Sequence, residues 1–223
     1  SYRGGIHLDE KNLSLNGSSL GILDLETTFQ HIGSRYRPSG RLSEVEHGRK
    51  WGMEEGRDWG EETLELKAGW SPLKHVSFQT EYGNMERANG FQSTRTLFET
   101  SVNKEKLPRF NYRVVQLNSR DSLSTSSWLR QQGSVSVNVL GLTPALSYQN
   151  EDRSYGDSSA AGFKFDEWKG EIGIEKKFLE ATFFHKIRYY YDYIKGVKTA
   201  QSRALTRRLQ LVAHPAPTIE AGL

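Results

Sequence analysis

Leu179-Glu180-Ala181-Thr182-Phe183-Phe184-His185-Lys186-Ile187-Arg188-Tyr189-Tyr190-Tyr191-Asp192 is the stretch that decides the fold. Its odd-numbered residues, from Leu179 through Ala181, Phe183, His185, Ile187 and Tyr189 to Tyr191, form one face, apolar except for His185. Glu180, Thr182, Lys186, Arg188 and Asp192 fall on the other, with Phe184 and Tyr190 as exceptions. Side chains alternate faces along a strand and recur every 3.6 residues along a helix, so a period of two over such a length predicts a β-strand with one apolar and one wet face.

The same period recurs on both sides of this stretch. Leu23, Leu25, Thr27 and Phe29 alternate with Asp24, Glu26, Thr28 and Gln30. Leu64, Leu66, Ala68 and Trp70 alternate with Glu65, Lys67 and Gly69, and Val76, Phe78, Thr80 and Tyr82 with Ser77, Gln79 and Glu81. Val135, Val137 and Val139 interleave with Ser134, Ser136 and Asn138, and Leu205, Leu209, Leu211 and Ala213 make a last series that Arg207 interrupts. About twelve strands are expected, over 4–15, 20–33, 62–71, 75–84, 92–102, 109–119, 128–139, 142–151, 162–175, 179–192, 203–213 and 218–223. No segment carries capping signals followed by a helical apolar stripe. The fold class is all-β: an antiparallel up-and-down meander forming a transmembrane β-barrel or part of one, as a single domain over residues 1–223 with a long loop at 34–61.

The links sharpen that reading. Short ones are expected at 16–19, 71–74, 140–141, 176–178 and 214–217, a somewhat longer one at 102–108, and long polar ones at 34–61, 85–91, 120–127, 152–161 and 193–202. Strict alternation of short and long is what a membrane barrel requires, with tight turns at one rim and long outer loops at the other. Aromatic residues cluster near the expected strand ends, at Trp70, Tyr82, Trp128, Tyr148, Phe163, Phe165, Trp168 and Tyr189-Tyr190-Tyr191, as interfacial girdles would place them.

Composition excludes several alternatives. Apolar residues are 35% of the chain with glycine counted separately, below the roughly 45–50% (glycine included) of a globular domain even when glycine is allowed for. With 30 basic and 27 acidic residues the net charge is +3, so no nucleic-acid partner is expected. The absence of cysteine removes disulfides and thiolate metal sites. No run reaches the roughly 20 apolar residues of a membrane helix, which leaves strand-built membrane proteins open. The chain begins Ser1-Tyr2-Arg3 and stops at Leu223 in a strand-like stretch, which reads as a mature fragment.

Gly141-Leu142-Thr143-Pro144-Ala145-Leu146-Ser147-Tyr148 resembles the periplasmic turn and following strand of very large outer-membrane barrels of the Bacteroidota, including secretion translocons of the gliding and type 9 systems. The stretch from Gly33 to Arg41, with His47-Gly48-Arg49-Lys50-Trp51-Gly52, resembles a recurrent loop of such proteins. The resemblance implies surface-exposed loops and a protein-conducting lumen, and carries no catalytic residues. Such barrels end on a strand with a terminal aromatic. This chain ends Thr218-Ile219-Glu220-Ala221-Gly222-Leu223, which implies a barrel continuing beyond it.

No chemistry-bearing motif stands out. His7, His31, His47, His75, His185 and His214 are not spaced as metal ligands, and neither H-E-x-x-H nor G-x-S-x-G occurs. His31, His75 and His185 could serve a barrel-embedded hydrolase, but the expectation is a non-enzyme without cofactor or metal. Two sets of residues are the candidate sites. Arg35, Tyr36, Arg37, Arg41, His47, Arg49, Trp51 and Trp59 make the long loop a contact surface for a protein partner or surface glycan, since Arg and Trp are common binding anchors. Glu26, Glu65, Lys67, Glu81, Arg95, Glu99, Arg113 and Arg188 are expected to line a wet lumen of mixed sign. The expected function is that of a bacterial outer-membrane barrel acting as pore, translocon wall or assembly scaffold, with outer-membrane lipid against the apolar face. The alternative is a soluble extracellular all-β module binding glycan or protein.

Overall fold

The computed structural model describes residues 2–15, 18–33, 50–51, 60–105, 107–122, 124–156, 161–176, 179–194 and 197–213. They form one eleven-stranded antiparallel sheet in which spatial order follows chain order. The strands are β1 (Tyr2–Leu15), β2 (Ser18–Ile32), β3 (Glu61–Leu73), β4 (Val76–Arg87), β5 (Gln92–Val102), β6 (Arg109–Arg120), β7 (Thr125–Ser136), β8 (Leu142–Tyr155), β9 (Ala161–Lys176), β10 (Leu179–Ile194) and β11 (Val197–Ala213). The sheet is open: among the described residues β1 and β11 pair only with β2 and β10. Lys50 and Trp51 alone among them have helical backbone. The strand expected at 218–223 lies outside the described residues.

The strands run further than periodicity suggested, and this corrects the expected alternation of links. β8 continues to Tyr155, β10 to Ile194, and β11 begins at Val197 instead of residue 203. The expected loops at 85–91, 120–127, 152–161 and 193–202 therefore shrink to 88–91, 121–124, 156–160 and 195–196. Polar residues such as Arg153 and Ser154 still add to a ladder when a partner strand is present, here opposite Trp128 and Ser127. Only 33–60 is a long link; the others span two to six residues.

Directly opposed residues of an antiparallel pair share a face, so the registers sort every strand. One face carries Leu25, Leu64, Leu66, Trp70, Phe78, Phe98, Val135, Leu146, Trp168, Ile172, Phe183, Ile187, Leu205 and Leu209. The opposite face carries the paired charges. Burial is inverted relative to a water-soluble sheet. The buried apolar residues Trp51, Met85, Leu97, Leu117 and Phe165 belong to the charged side, while Leu66, Trp70, Trp168, Ile172, Phe183 and Leu209 are all exposed on the apolar one. The chain exposes 16118 Å², about one and a half times the roughly 10,000 Å² of a compact monomer of its mass.

Several expected positions need correction. Trp128, Phe163, Phe165 and Tyr190 face the charged side and so belong to no girdle on the apolar face. Val137 lies just past the end of β7, which stops at Ser136 and not at residue 139, with its amide donating to the Pro144 carbonyl at 3.1 Å. Trp70, which stacks on Phe78 at 5.5 Å, and Tyr148, 4.6 Å from Trp168, lie on the apolar face.

Candidate functional site

Alternation places one polar residue every second position, and in-register pairing turns those residues into rows that cross the sheet. One row runs His7, Glu26, Lys67, Glu81, Leu97, Val115, Arg130, Glu151, Phe165, Tyr190, Ser202, one residue from each strand. The adjacent row holds Asp24, Gly69, Gln79, Glu99, Arg113, Gln132, Gln149, Glu167 and Arg188. All eight residues expected on a lumen wall, Glu26, Glu65, Lys67, Glu81, Arg95, Glu99, Arg113 and Arg188, fall on this face.

Opposite charges meet across strands along it. Lys67 Nζ donates to Glu26 at 3.0 Å, and Arg95 donates to Glu81 at 2.7 Å. Arg113 lies 3.7 Å from Glu99 and Arg130 3.9 Å from Glu151. Glu167 accepts from Arg188 and has Lys186 at 3.5 Å. Arg87 donates to the buried Glu61 at 3.2 Å. Aromatic residues here serve as platforms for cations: the Arg188 guanidinium lies 4.5 Å from the Phe165 ring, and Lys169 lies 4.8 Å from Phe184. This accounts for Phe184 and Tyr190, the two exceptions to alternation in β10. Between Glu99, Arg113, Gln132, Gln149 and Glu167 the face forms an open polar hollow of about 320 Å³.

One element of the long link returns to this face. Trp51 is fully buried, and its ring sits over Gly83, where an added Cβ would lie 2.5 Å from Cη2. Ser93 Oγ donates to the Trp51 carbonyl at 3.0 Å, and Lys50 pairs with Glu65. Gly83 supplies the gap, since any side chain there would fill the space that the indole takes. Trp51 therefore anchors the link to the sheet instead of presenting a surface for an external partner. Arg35, Tyr36, Arg37, Arg41, His47, Arg49 and Trp59 lie outside the described residues. Periodicity could not reveal this anchor, because it depends on a contact between residues far apart in sequence; the one local signal was an isolated glycine within β4.

Among the described residues, His31, His75 and His185 do not converge. His31 meets Glu62 at 3.2 Å on β2–β3, His75 lies in the β3–β4 turn, and His185 accepts from Arg207 Nε at 3.2 Å on β10–β11. No helix among the described residues is long and apolar enough to cross a membrane, which says nothing of crossing by strands. No protein-family model matches the chain, and no curated protein matches it either.

Proposed function

We propose that this chain is the wall of a bacterial outer-membrane β-barrel, acting as pore, translocon wall or assembly scaffold. The observation that carries the reading is the exposed apolar face running across the whole meander, backed by a face on which charges are paired. A soluble sheet hides its apolar side against a second layer. Here the apolar side is bare and the polar side holds the buried apolar residues. Lipid covers such a face without a second layer, and closed barrels are the only sheets that satisfy every backbone group in hydrocarbon. Each strand has 11 to 17 residues, where about 9–11 tilted residues suffice to cross. The charged face supports a wet interior of mixed sign, suited to a conduit or scaffold more than to an ion-selective filter.

The tryptophans provide the test. Single-tryptophan proteins keeping Trp70 or Trp168 should lose fluorescence in vesicles of lipid brominated along the acyl chain. Those keeping Trp51 or Trp128 should not. Equal quenching of all four, or of none, removes the membrane reading and favours the soluble glycan- or protein-binding module.

A further inference from the structure

The apolar band does not follow the rows of paired residues. Let the 33–60 end of the sheet be its upper end. On β3 four successive positions of the apolar face, Leu64, Leu66, Ala68 and Trp70, are apolar, with Glu62 above them. On β6 the band is Phe110, Tyr112 and Val114, with Gln116 above. On β9 it is Trp168, Gly170, Ile172 and Ile174, with Asp166 above. The row of Val114 crosses β3 at Ala68, and the row of Trp168 crosses it at Trp70. Trp70 is therefore the lower limit of the band on β3, and Trp168, in the same row, is its upper limit on β9. Over the six strands from β3 to β9 the upper limit drops six residues along the strands, and the band keeps its length. Leu129 on β7 and the His185–Arg207 pair on β10 and β11 depart from this pattern.

A stagger of one residue per strand is a slope. With a rise of about 3.3 Å per residue and about 4.8 Å between strands, the slope is about 35°. Strands of membrane barrels tilt by roughly 35–45°, and closure links tilt to stagger. A flat slab of hydrocarbon crossing strands at that tilt takes a lower stretch of each successive strand. Above Trp168 the outer face of β8 and β9 turns polar. Asn150 donates to Asp166 at 2.6 Å, and the Tyr148 hydroxyl donates to the same carboxylate oxygen at 3.0 Å. One row higher Lys164 lies in the row that Leu66 occupies on β3. Register alone would give Leu66 and Lys164 one depth; the slope separates them.

We propose that the bilayer crosses the meander obliquely, immersing β3 almost to its upper end and leaving the upper parts of β8 and β9 clear of hydrocarbon as a polar outer wall. The proposal rests on the barrel reading and adds to it the depth of each residue on the apolar face. Trp70 and Trp168 then belong to opposite surfaces of the bilayer, where tryptophan is favoured. Tyr112, midway between them in their row, lies at the centre. Asp166 and Lys164 meet water at positions whose row partners on β3, Ala68 and Leu66, meet lipid.

The test uses the whole chain in vesicles of phosphatidylcholine brominated either high on the acyl chain or near its end. Three single-tryptophan proteins are compared: one keeps Trp70, one keeps Trp168, and one carries Tyr112→Trp with every native tryptophan replaced by phenylalanine. The high bromine should quench Trp70 and Trp168 about twofold more than the low one, and the order should reverse for Tyr112→Trp. Two single-cysteine proteins in lipid nanodiscs, open to water on both sides, give a second measurement. Lys164→Cys should react with a polar maleimide about tenfold faster than Leu66→Cys, because hydrocarbon excludes the reagent. One depth for all three tryptophans overturns the oblique band, as does equal reaction of the two cysteines, and either result leaves the membrane reading in place as long as quenching occurs. No quenching of any tryptophan by either lipid removes the membrane reading and the oblique band with it.

Discussion

Arg95 donates to Glu81 at 2.7 Å across the β4–β5 pair, with only 12% and 18% of the two side chains exposed. Glu81 is also the direct cross-strand neighbour of Lys67, which is itself engaged by Glu26. The result is a chain of alternating charges in which each member is needed by the next. Arg95→Leu should strand Glu81 and destabilise the sheet by about 2–3 kcal/mol, somewhat less than a fully dry pair. Adding Glu81→Gln should recover a good part of that loss. Urea titration of the folded protein in detergent measures both, and an additive double variant would mean the pair is uncoupled.

On the apolar face, Leu66→Arg or Phe183→Arg should cost about 2–4 kcal/mol when folding is measured from lipid vesicles. Gln79→Arg, at an exposed position on the charged face between Gly69 and Glu99, should cost under about 1 kcal/mol, as solvent-exposed substitutions usually do. Equal costs on the two faces would mean that neither meets hydrocarbon.

Gly83→Val should expel the Trp51 ring, since even a Cβ would lie 2.5 Å from it. The cost expected for such overpacking is about 1–3 kcal/mol. In a protein whose only tryptophan is Trp51, the emission should shift to the red as the indole meets water. Ser93→Ala, which removes the 3.0 Å bond to the Trp51 carbonyl, should cost about 1 kcal/mol and shift the emission less.

The turn between β7 and β8 holds a non-glycine residue in the left-handed region: Leu140 has φ 55°, followed by Gly141 at φ 82°. A two-residue turn of this kind favours Asn-Gly. Leu140→Asn should therefore stabilise the protein by up to about 1 kcal/mol. Leu140 is 93% exposed, so little packing is lost with it. A fall in the unfolding midpoint would show that the leucine makes a contact of its own.

Cysteines report sidedness, because the chain has none. The 88–91 link lies at the same end of the sheet as 33–60, and the 137–141 link at the other. Asn89→Cys should react with an impermeant maleimide on intact cells. Leu140→Cys should react only after the outer membrane is opened. Equal reaction on intact cells would contradict a strand-by-strand crossing.

The faces were legible in the sequence, and the strand ends were not. Leu64 to Trp70 and Leu179 to Tyr191 announce their apolar side by parity alone, and the registers keep that parity. The ends failed because a run such as Lys198-Thr199-Ala200-Gln201-Ser202 has no apolar residue larger than alanine to mark a face, and extends because β10 is there to pair with it. Four of the aromatic residues were set on the wrong face for a related reason. Residue type makes Trp128 and Phe165 suitable for an interface, but their parity with Arg130 and Glu167 sets them on the charged side. Trp51 looked like a surface anchor because its partners, Gly83 and Ser93, are more than thirty residues away.

The consecutive strand order governs how the molecule assembles. Substantial contacts join each strand only to its neighbours in sequence, and no strand waits for a distant one. Such a sheet is close to one-dimensional: its stability is a sum of hairpin interfaces, and ordering can begin at any hairpin and spread. Short loop closures should make propagation fast for so large an all-β chain.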